Sequence, residues 1–452
     1  MPRLLRVTLL SARDLLLTAG PFALITLVLL AGAYFLLEPQ PPRRVVLATG
    51  PEQSAYAEFG RRYAAELKRY GIEVVLRATH GSRENLRLLR DSKQDVHVAF
   101  VQGGASERPS PPADADKKKS EELPVVSLGS LFYEPVWIFY RAEAAKKLDK
   151  NALLTQIGQL RGWRVDVGGR GSGTPGLVNR LLAANFVERE EIKRSNLDPT
   201  PAVVALLDGE LEAIVLVSAP ESPLVQTLLQ TPGIRLFEFP QAEAYARRHR
   251  FLRPVVLPRG VADIARDVPA RDLDLIAPTT ALVAREGTHP ALMQLFVQAA
   301  ARVHSGPGWI ARAGQFPSPQ DTEFALAREA ERYYRSGPPL LQRYLPFWLA
   351  NLVDRMWVAL ISIIAILIPL SRILPPLYEF RVRSRIFRWY RHLRSIEDAL
   401  GRRGAPAAEL LEELAKLDAK AERIVVPLSY TDELYALRTH IALVRERLRQ
   451  AG

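Results

Sequence analysis

The sequence of residues 163–176, WRVDVGGRGSGTPG, joins a β-branched run to a glycine-rich loop and a helix start. It predicts a strand over Trp163–Val167 and a helix over Gly176–Phe186, with Thr174 as N-cap and Pro175 at the first helical position. The loop then presents backbone N–H groups at a helix N-terminus, where a carboxylate or phosphate is favoured. The alternative is a glycine-rich turn without a ligand.

The loop lacks the known nucleotide-binding and nucleophile patterns. No Gly-Lys-Ser/Thr ending follows, the glycine spacing differs from the dinucleotide pattern, and Gly171 and Gly173 adjoin Ser172 directly, unlike a Gly-x-Ser-x-Gly elbow. The seven histidines form no metal-binding pair, and the chain has no cysteine. The sequence therefore predicts a protein that is not an enzyme, without a metal or a cofactor.

Strand and helix patterns alternate along the middle of the chain, which predicts βαβ units and a largely parallel sheet. Strands are expected at Val45–Thr49, Ile72–Leu76, Val96–Val101, Trp163–Val167, Ala213–Val217 and Ile234–Phe237, and helices at Tyr56–Tyr70, Ser82–Leu89, Gly176–Phe186 and Ala202–Leu207. The apolar run Leu273–Val283 could carry the chain back, followed by amphipathic helices at Ala291–Val303 and Thr322–Tyr334.

We therefore predict an α/β fold whose two lobes form a hinged clamshell. Lobe 1 comprises residues 43–135, with a solvated insertion loop at 105–123, and lobe 2 comprises residues 136–272. Residues 273–345 return to lobe 1 and add closing helices. The binding site is expected in the cleft at the carboxyl ends of the strands.

Two apolar runs flank the lobes and predict transmembrane helices at 15–37 and 355–374. The first would be about 35 Å long as a helix, enough for a hydrocarbon core of about 30 Å. For the shorter second run, a buried helix is the alternative. Arginines beside both runs predict cytoplasmic termini, 1–14 and 375–452, and an extracytoplasmic main domain in a two-pass protein of the bacterial inner membrane. A cleaved signal peptide is the alternative for the first run.

The formal net charge of +12 does not require nucleic acid as a partner. Many arginines cluster beside the predicted spans, where they suit the anionic headgroups of a lipid bilayer. The tail has apolar residues at helical spacing over Leu410–Ile424 and Leu434–Leu448, separated by Pro427. This spacing predicts a helical hairpin or a partner-binding helix pair, and a self-packed bundle is the alternative.

Three further segments follow strands and are expected at the same rim: Gly50–Tyr56, Thr79–Asn85 and Phe100–Gly104. In the second, Gly81 permits a tight turn and Ser82 suits an N-cap. The amide of Asn85 can both donate and accept hydrogen bonds. Four such loops on one rim favour a binding site.

At these residues the chain resembles the solute receptors of the TAXI class of tripartite (TRAP) transporters, over roughly Val45–Val303. The matching positions are Gly50, Pro51, Tyr56 and Gly60; then Thr79, Gly81, Ser82, Asn85, Leu86, Asp95 and Gln102; then Gly168 and Arg170–Thr174; and finally Asp208, Gly209 and Ala213. The chain departs from the family at Gln53, Ser54, Ala55, Ala57 and Glu212. The resemblance, which extends to a membrane-anchored subgroup, implies a type II periplasmic-binding-protein clamshell, a small anionic solute such as glutamate or another carboxylate, and TRAP-type membrane subunits as partners.

The predicted function is a solute receptor that delivers its ligand to such a transporter. Its predicted ligand-binding residues are Tyr56, Gly81, Ser82, Asn85, Gln102, Arg170, Gly171, Ser172, Gly173 and Thr174. One alternative is a transmembrane ligand sensor that signals through the cytoplasmic helical tail. Another is a structural protein whose cleft has degenerated and is filled by side chains.

Overall fold

The computed structural model describes residues 3–37, 40–106, 122–401, 406–422 and 431–451. Most of the predicted insertion loop at 105–123, and Pro427 in the tail, lie outside the described residues. The chain divides into two compact units, Gln40–Ala350 and a second unit made of Met1–Pro39 with Asn351–Gly452. Helix α1 (Arg3–Leu37) belongs to the second unit.

The first lobe of the unit Gln40–Ala350 is built around a sheet that mixes parallel and antiparallel pairs, where the sequence predicts a largely parallel one. Its elements are β1 (Arg44–Ala48), α2 (Ala55–Lys68), β2 (Glu73–Arg77), α3 (Ser82–Arg90), β3 (Val98–Gln102) and β4 (Val125–Tyr133). Strand β1 pairs in parallel with both β2 and β3. Along β1, Val45 and Leu47 enter one apolar cluster while Val46 and Ala48 enter another. The strand is therefore buried on both faces, as the continuous apolar run predicted.

The second lobe repeats the α/β pattern around a five-stranded sheet of order β7-β6-β8-β5-β9 in the described chain. Its elements are β5 (Val136–Arg141), α4 (Ala142–Lys146), β6 (Arg164–Asp166), α5 (Thr174–Ala184), β7 (Lys193–Ser195), α6 (Pro199–Leu207), β8 (Ala213–Val217), α7 (Pro223–Gln230), β9 (Ile234–Leu236) and α8 (Ala242–Arg248). Strand β6 pairs in parallel with β7 and β8, and β5 is antiparallel to β8 and β9.

The chain crosses between the lobes at two adjacent places. It passes from β4 to β5 through Glu134 and Pro135, and it returns through β10 (Leu252–Leu257) and β11 (Leu273–Arg285). The start of β11 pairs with β10 and its later residues pair with β3 and β4. The N–H of Glu134 donates to the carbonyl of Pro278 over 2.9 Å, which joins the two crossings. Helices α9 (Pro290–His304) and α10 (Arg328–Ser336) then cover the first lobe.

The second unit contains α11 (Phe347–Ser371, from Asn351 onward), α12 (Leu374–Gly401), α13 (Ala407–Ala421) and α14 (Thr431–Ala451) besides α1. Helices α12, α13 and α14 bury a shared apolar core that includes Leu393, Ile396, Leu414, Leu437 and Leu448. The apolar positions predicted from the tail's spacing therefore pack against one another. The tail is a self-packed helical bundle.

The prediction of a two-pass membrane protein is wrong. Within the described ranges, no helix combines the length and the apolar character that crossing a membrane requires. A span needs about 20 consecutive apolar residues, whereas the uncharged part of α11 after Asp354 and Arg355 runs only from Met356 to Ser371. This finding contradicts the predicted spans at 15–37 and 355–374. The predicted localisation and the transmembrane-sensor alternative depended on these spans.

Asn85 holds together the strand ends at which the first lobe's loops begin. Its side chain is fully buried, and its Nδ2 donates to the carbonyl oxygens of Thr49 (2.6 Å) and Phe100 (2.9 Å). Its Oδ1 accepts from the hydroxyl of Thr79 over 2.7 Å. The loops after β1, β2 and β3 are thereby fixed to one another.

Asn85→Asp is expected to lower the free energy of unfolding by at least about 2 kcal/mol, because both buried carbonyls lose the N–H groups of the amide and a buried charge is added. Chemical denaturation of the full chain measures the change. The matched control is Asn151→Asp at an exposed position. Equal stability of the two variants would contradict this role for Asn85.

Candidate functional site

A cavity of about 330 Å³ lies between the two lobes at the ends of their strands. In the part of the chain that the structure describes, five helices start beside it, and the N-cap residue of each one lines it: Ser54 for α2, Gly81 for α3, Gly173 for α5, Asp198 for α6 and Ser222 for α7. The N-terminus of a helix carries partial positive charge and unpaired N–H groups. Several such helix ends thus surround one volume. Side chains do not fill this volume.

The glycine-rich loop uses part of its own hydrogen-bonding capacity. Ser172 donates its hydroxyl to the carbonyl of Gly169 over 2.7 Å and accepts from the N–H of Thr174 over 3.3 Å. Gly173, and not Thr174, is the N-cap of α5. Within the described chain, no acceptor is found for the N–H groups of Gly169 and Gly173, and both residues line the cavity. These two amides remain for a ligand.

The first lobe contributes similar amides. The N–H groups of Ala55 and Tyr56 at the start of α2, and of Ser82 at the start of α3, have no acceptor among the residues described. All three residues line the cavity. Their N–H groups belong to the first turn of a helix, where the intrahelical partner is missing by geometry. The two lobes therefore offer unpaired donors to the same space.

Asp166 holds the glycine-rich loop in place through hydrogen bonds from beneath its backbone, at the end of β6. Its side chain is fully buried, and its carboxylate accepts from the N–H of Gly168 (2.9 Å), the hydroxyl of Ser195 (2.8 Å) and the N–H of Leu197 (2.8 Å). Burial raises the pKa of this carboxyl, and the three hydrogen bonds act in the opposite direction. Both oxygens are in use, so Asp166 positions the loop.

A second buried acid, Glu134, lies where the chain crosses between the lobes. Its Oε2 accepts from the hydroxyl of Tyr56 over 2.8 Å and from the hydroxyl of Thr280. Tyr56 also contacts the hydroxyl of Ser82 over 3.0 Å. Burial raises the pKa of Glu134 to about 7, while the two hydroxyl donors lower it. Burial and the neighbouring carboxyl raise the pKa of Tyr56 well above its usual value, so the phenol stays neutral.

The charged groups that line the cavity are mainly acidic. They are Glu52, Glu134, Asp166 and Asp198, with His80 as the other titratable side chain apart from Tyr56. Among the described residues that line it, there is no lysine or arginine. No group of His, Asp and Glu in the described ranges could hold a metal ion. Backbone N–H groups, and not cationic side chains, are therefore the groups in the described lining that could favour an anion.

The predicted site residues fall into two groups. Those that line the cavity are Tyr56, Gly81, Ser82, Gln102, Ser172, Gly173 and Thr174. Asn85 supports the loops from within the first lobe, Arg170 is exposed, and Gly171 lies at the contact between the lobes. Gln102 is 4% exposed, and no hydrogen-bond partner of its side chain is found in the described chain. Its amide is thus free to contact a ligand.

Sequence reasoning missed Glu134, Asp166 and Asp198. A signal existed for Glu134, because it is the one charged residue between Val125 and Tyr140 in an otherwise apolar and aromatic run. A lone charge in a buried strand needs a partner or a function. Asp166 and Asp198 gave no comparable signal, since acids beside a strand end or before a helix are common.

Three glycines allow the lobes to meet. A Cβ at Gly171 would lie 2.3 Å from the Cβ of His80, and a Cβ at Gly173 would lie 2.4 Å from the Oε1 of Gln102. Gly81 has φ +123° and faces the backbone of Ser172. The N–H of Glu84 donates across the contact to the carbonyl of Gly171 over 3.2 Å. The glycines predicted to approach a ligand thus also serve the closed arrangement of the lobes.

Further contacts close the rim of the cleft. The hydroxyl of Thr200 donates to the Oε1 of Gln53 over 3.0 Å. The guanidinium of Arg180 donates to the carbonyl of Gly104 over 2.7 Å and lies 4.9 Å from the ring centre of Phe251. The lobes are therefore in contact on more than one side of the cavity.

Gly171→Ala is expected to disfavour this closed state, because the added methyl group would overlap His80, a position with no flexible side-chain end to displace. Small-angle scattering of the full chain should show a larger radius of gyration than that of the unmodified protein. Gly287→Ala is the control, since a Cβ there has nothing within 4 Å. An unchanged scattering profile for Gly171→Ala would contradict the role in closure.

Glu134 is also expected to make stability depend on pH. A carboxyl whose pKa is raised from 4.5 to about 7 binds its proton more tightly in the folded state. Its contribution is fully favourable below pH 4.5 and is lost as pH rises through about 7, by up to about 3 kcal/mol. Denaturation at several pH values should show this loss, and Glu134→Gln should remove it. The exposed control Glu190→Gln should leave the slope unchanged; a slope shared by all three proteins would contradict the assignment.

The two α/β lobes, the paired crossings and the enclosed cavity define a periplasmic-binding-protein-like fold, the architecture predicted for the central part of the chain. The model of the NMT1-like family matches residues 47–299, which is more than half of the chain. This protein belongs to the NMT1-like family. The match covers both lobes and the loops that line the cavity.

Solved structures with similarity to this chain include several binding proteins. The periplasmic aliphatic sulphonate binding protein SsuA from Escherichia coli is 15% identical, with a TM-score of 0.36 and coverage of 72% of this chain and 83% of the other. The alkanesulfonate-binding protein SsuA from Xanthomonas axonopodis pv. citri, bound to MOPS, is 13% identical, with a TM-score of 0.34 and coverage of 71% and 94%. A structure described as a periplasmic transporter is 12% identical, with a TM-score of 0.41 and coverage of 68% and 99%.

Proposed function

We propose that this protein binds a small organic anion, a carboxylate or an amino acid such as glutamate, in the cavity between its lobes. The observation that carries the proposal is the set of unpaired N–H groups from both lobes that border one enclosed volume. Backbone amides at helix N-termini favour carboxylate and similar anions without a nearby cationic side chain. The amides of Ala55, Ser82 and Gly173 are the central ones.

The amide of Gln102 supports the same proposal. It is nearly fully buried at the end of β3, lines the cavity, and has neither donor nor acceptor for its side chain among the described residues. The amide is not sealed from the cavity, so a polar ligand that hydrogen-bonds to Gln102 would take the place of water there.

The hydroxyls of Ser82 and Ser172, the two serines predicted at the site, favour binding over catalysis. Ser82 accepts from the backbone N–H of Gln102 over 3.0 Å and contacts Tyr56. Ser172 is committed to its own loop through Gly169 and Thr174. A nucleophilic serine needs a hydroxyl that donates to an adjacent base, whereas these hydroxyls complete the local backbone structure.

The size of the cavity limits the ligand. A volume of about 330 Å³ suits a small solute. Contacts of the lobes around the rim imply that the ligand enters when the lobes separate and is held when they close. Differential affinity for the closed state would supply the free energy of closure.

Delivery of the solute to TRAP-type membrane subunits is the second part of the proposal. It is supported by the motif resemblance at Gly50–Tyr56, Thr79–Gln102 and Gly168–Thr174 alone. Purification of the full chain from its own cells, with and without the bound anion, tests it. Anion-dependent recovery of membrane subunits of that class, identified by mass spectrometry, would support delivery, and their absence would count against it.

Calorimetry of the full chain against acetate, succinate, L-glutamate, 2-oxoglutarate and methanesulfonate should reveal at least one anion that binds once per chain. Gln102→Leu should weaken that binding by at least about tenfold, because the buried hydrogen bond of about 1.4 kcal/mol or more is lost. Gln230→Leu, at an exposed position on α7, is the matched control and should bind as the unmodified protein does.

Two results would contradict the proposed function. One is the absence of binding across the whole panel by a folded protein. The other is anion binding that Gln102→Leu leaves unchanged, which would place the anion elsewhere on the chain.

A further inference from the structure

The charge of the cavity poses a problem for an anionic ligand. Glu52, Glu134, Asp166 and Asp198 line it, and no lysine or arginine is found among the described lining residues. An anion that enters brings a further negative charge into a space partly shielded from water. Two like charges in such a site raise the pKa of the acid and favour its protonation. One of the cavity's carboxyl groups is therefore expected to be neutral when the anion is bound.

Glu134 has the geometry for this state. It is 4% exposed, and its Oε2 accepts from two hydroxyl groups, those of Tyr56 and Thr280. Its Oε1 has no hydrogen-bond partner among the described residues and is not sealed from the cavity that Glu134 lines. With Oε2 saturated as an acceptor, a proton would reside on Oε1. There it would be available as a donor to a ligand.

We propose that Glu134 binds the anion as a neutral acid, with Oε1–H donating to a ligand oxygen, so that binding above pH 7 is coupled to the uptake of a proton. The proposal rests on the proposed function and names the residue that makes binding depend on pH. A carboxylate at Glu134 accepts a proton from solvent, and the ligand arrives as an anion. No other bond is formed or broken.

The other titratable groups around the cavity do not fit this role. Asp166 uses both oxygens to accept from Gly168, Ser195 and Leu197, so a proton there would break a bond that holds the loop. Tyr56 from α2 is the titratable group in contact with Glu134, and it already donates to it. From β11 the contacting group is the uncharged Thr280.

The remaining acids are less suited for a different reason. Glu52 and Asp198 are exposed, as is His80, and exposure screens their interaction with a bound anion. Glu134 also lies at the crossing, where its N–H is bonded to Pro278 of β11. A ligand that contacts Glu134 thus contacts the segment on which the lobes turn.

The dependence on pH has a definite sign. The pKa of Glu134 is about 7 in the unliganded protein, and a bound anion raises it further. Below pH 7 the acid is already neutral, so its titration does not change the affinity for the anion. Above pH 7 affinity should fall by about tenfold per pH unit until the pKa of the complex is reached. A ligand with a cationic group against Glu134 would produce the opposite slope.

The test is calorimetry of the full chain with the same five anions at pH 6.0, 7.0 and 8.5, each in two buffers of different ionisation enthalpy. The expected result is uptake of close to one proton per anion at pH 8.5. Glu134→Gln should abolish this uptake and bind at pH 8.5 at least about tenfold more tightly than the unmodified protein. The amide keeps an oxygen that accepts from Tyr56 and Thr280 and presents N–H to the ligand.

Infrared difference spectra give a readout that a structural role alone would not change. Binding at pH 8.5 should produce the C=O band of a protonated carboxyl group, and this band should be absent from Glu134→Gln. Glu134→Leu lacks the donor and should bind at least tenfold more weakly at pH 6.0. The exposed Glu190→Gln is the control and should retain proton uptake.

The outcomes separate the two proposals. Anion binding without proton uptake, or with uptake that survives in Glu134→Gln, would overturn this inference and leave the proposed function in place. Release of a proton on binding would overturn it as well. No binding of any anion at any of the three pH values would overturn both.

Discussion

The hydrogen bonds around the carboxyl of Glu134 are the interaction on which the rest of the structure depends. This group lies on the first crossing between the lobes, and it receives hydroxyl donors from α2 and from the returning strand β11. Its own backbone is bonded to Pro278. One buried side chain therefore joins both crossings to the first lobe at the inner end of the cavity.

The cavity offers backbone N–H donors, with no cationic side chain among the described residues that line it. The alternation of strands and helices brings the N-termini of several helices to the same edge of each sheet, and their first-turn amides have no partner within the helix. Acidic residues such as Asp166 then arrange the loops that carry those amides. The result is a site in which backbone donors lie beside a buried acid, Glu134.

The structure explains some of the residues on which the motif resemblance to the TAXI receptors rests. Gly81, Gly171 and Gly173 lie where a side chain would prevent the lobes from meeting, and Asn85 ties three loops together from inside the first lobe. Such residues are needed by the closed form of the fold whatever the ligand is. Tyr56, Ser82 and Gln102 are nearer to the ligand's chemistry because they line the cavity.

The sequence alone determined the alternation of strands and helices, the two-lobed division and the rim on which the loops lie. These features follow from the spacing of apolar residues and the positions of glycines, which are local properties of the chain. The strands predicted from the sequence begin and end within one or two residues of most observed strands, and the prediction Ala213–Val217 agrees with β8 at both ends. Only the tertiary structure decided that Glu134 from one crossing would meet Tyr56 and Thr280, which are 78 and 146 residues away. It also decided which apolar helices pack in a bundle, since hydropathy along a chain does not specify what a helix packs against. Burial and charge in a cavity depend on residues distant in sequence, and no local pattern encodes them.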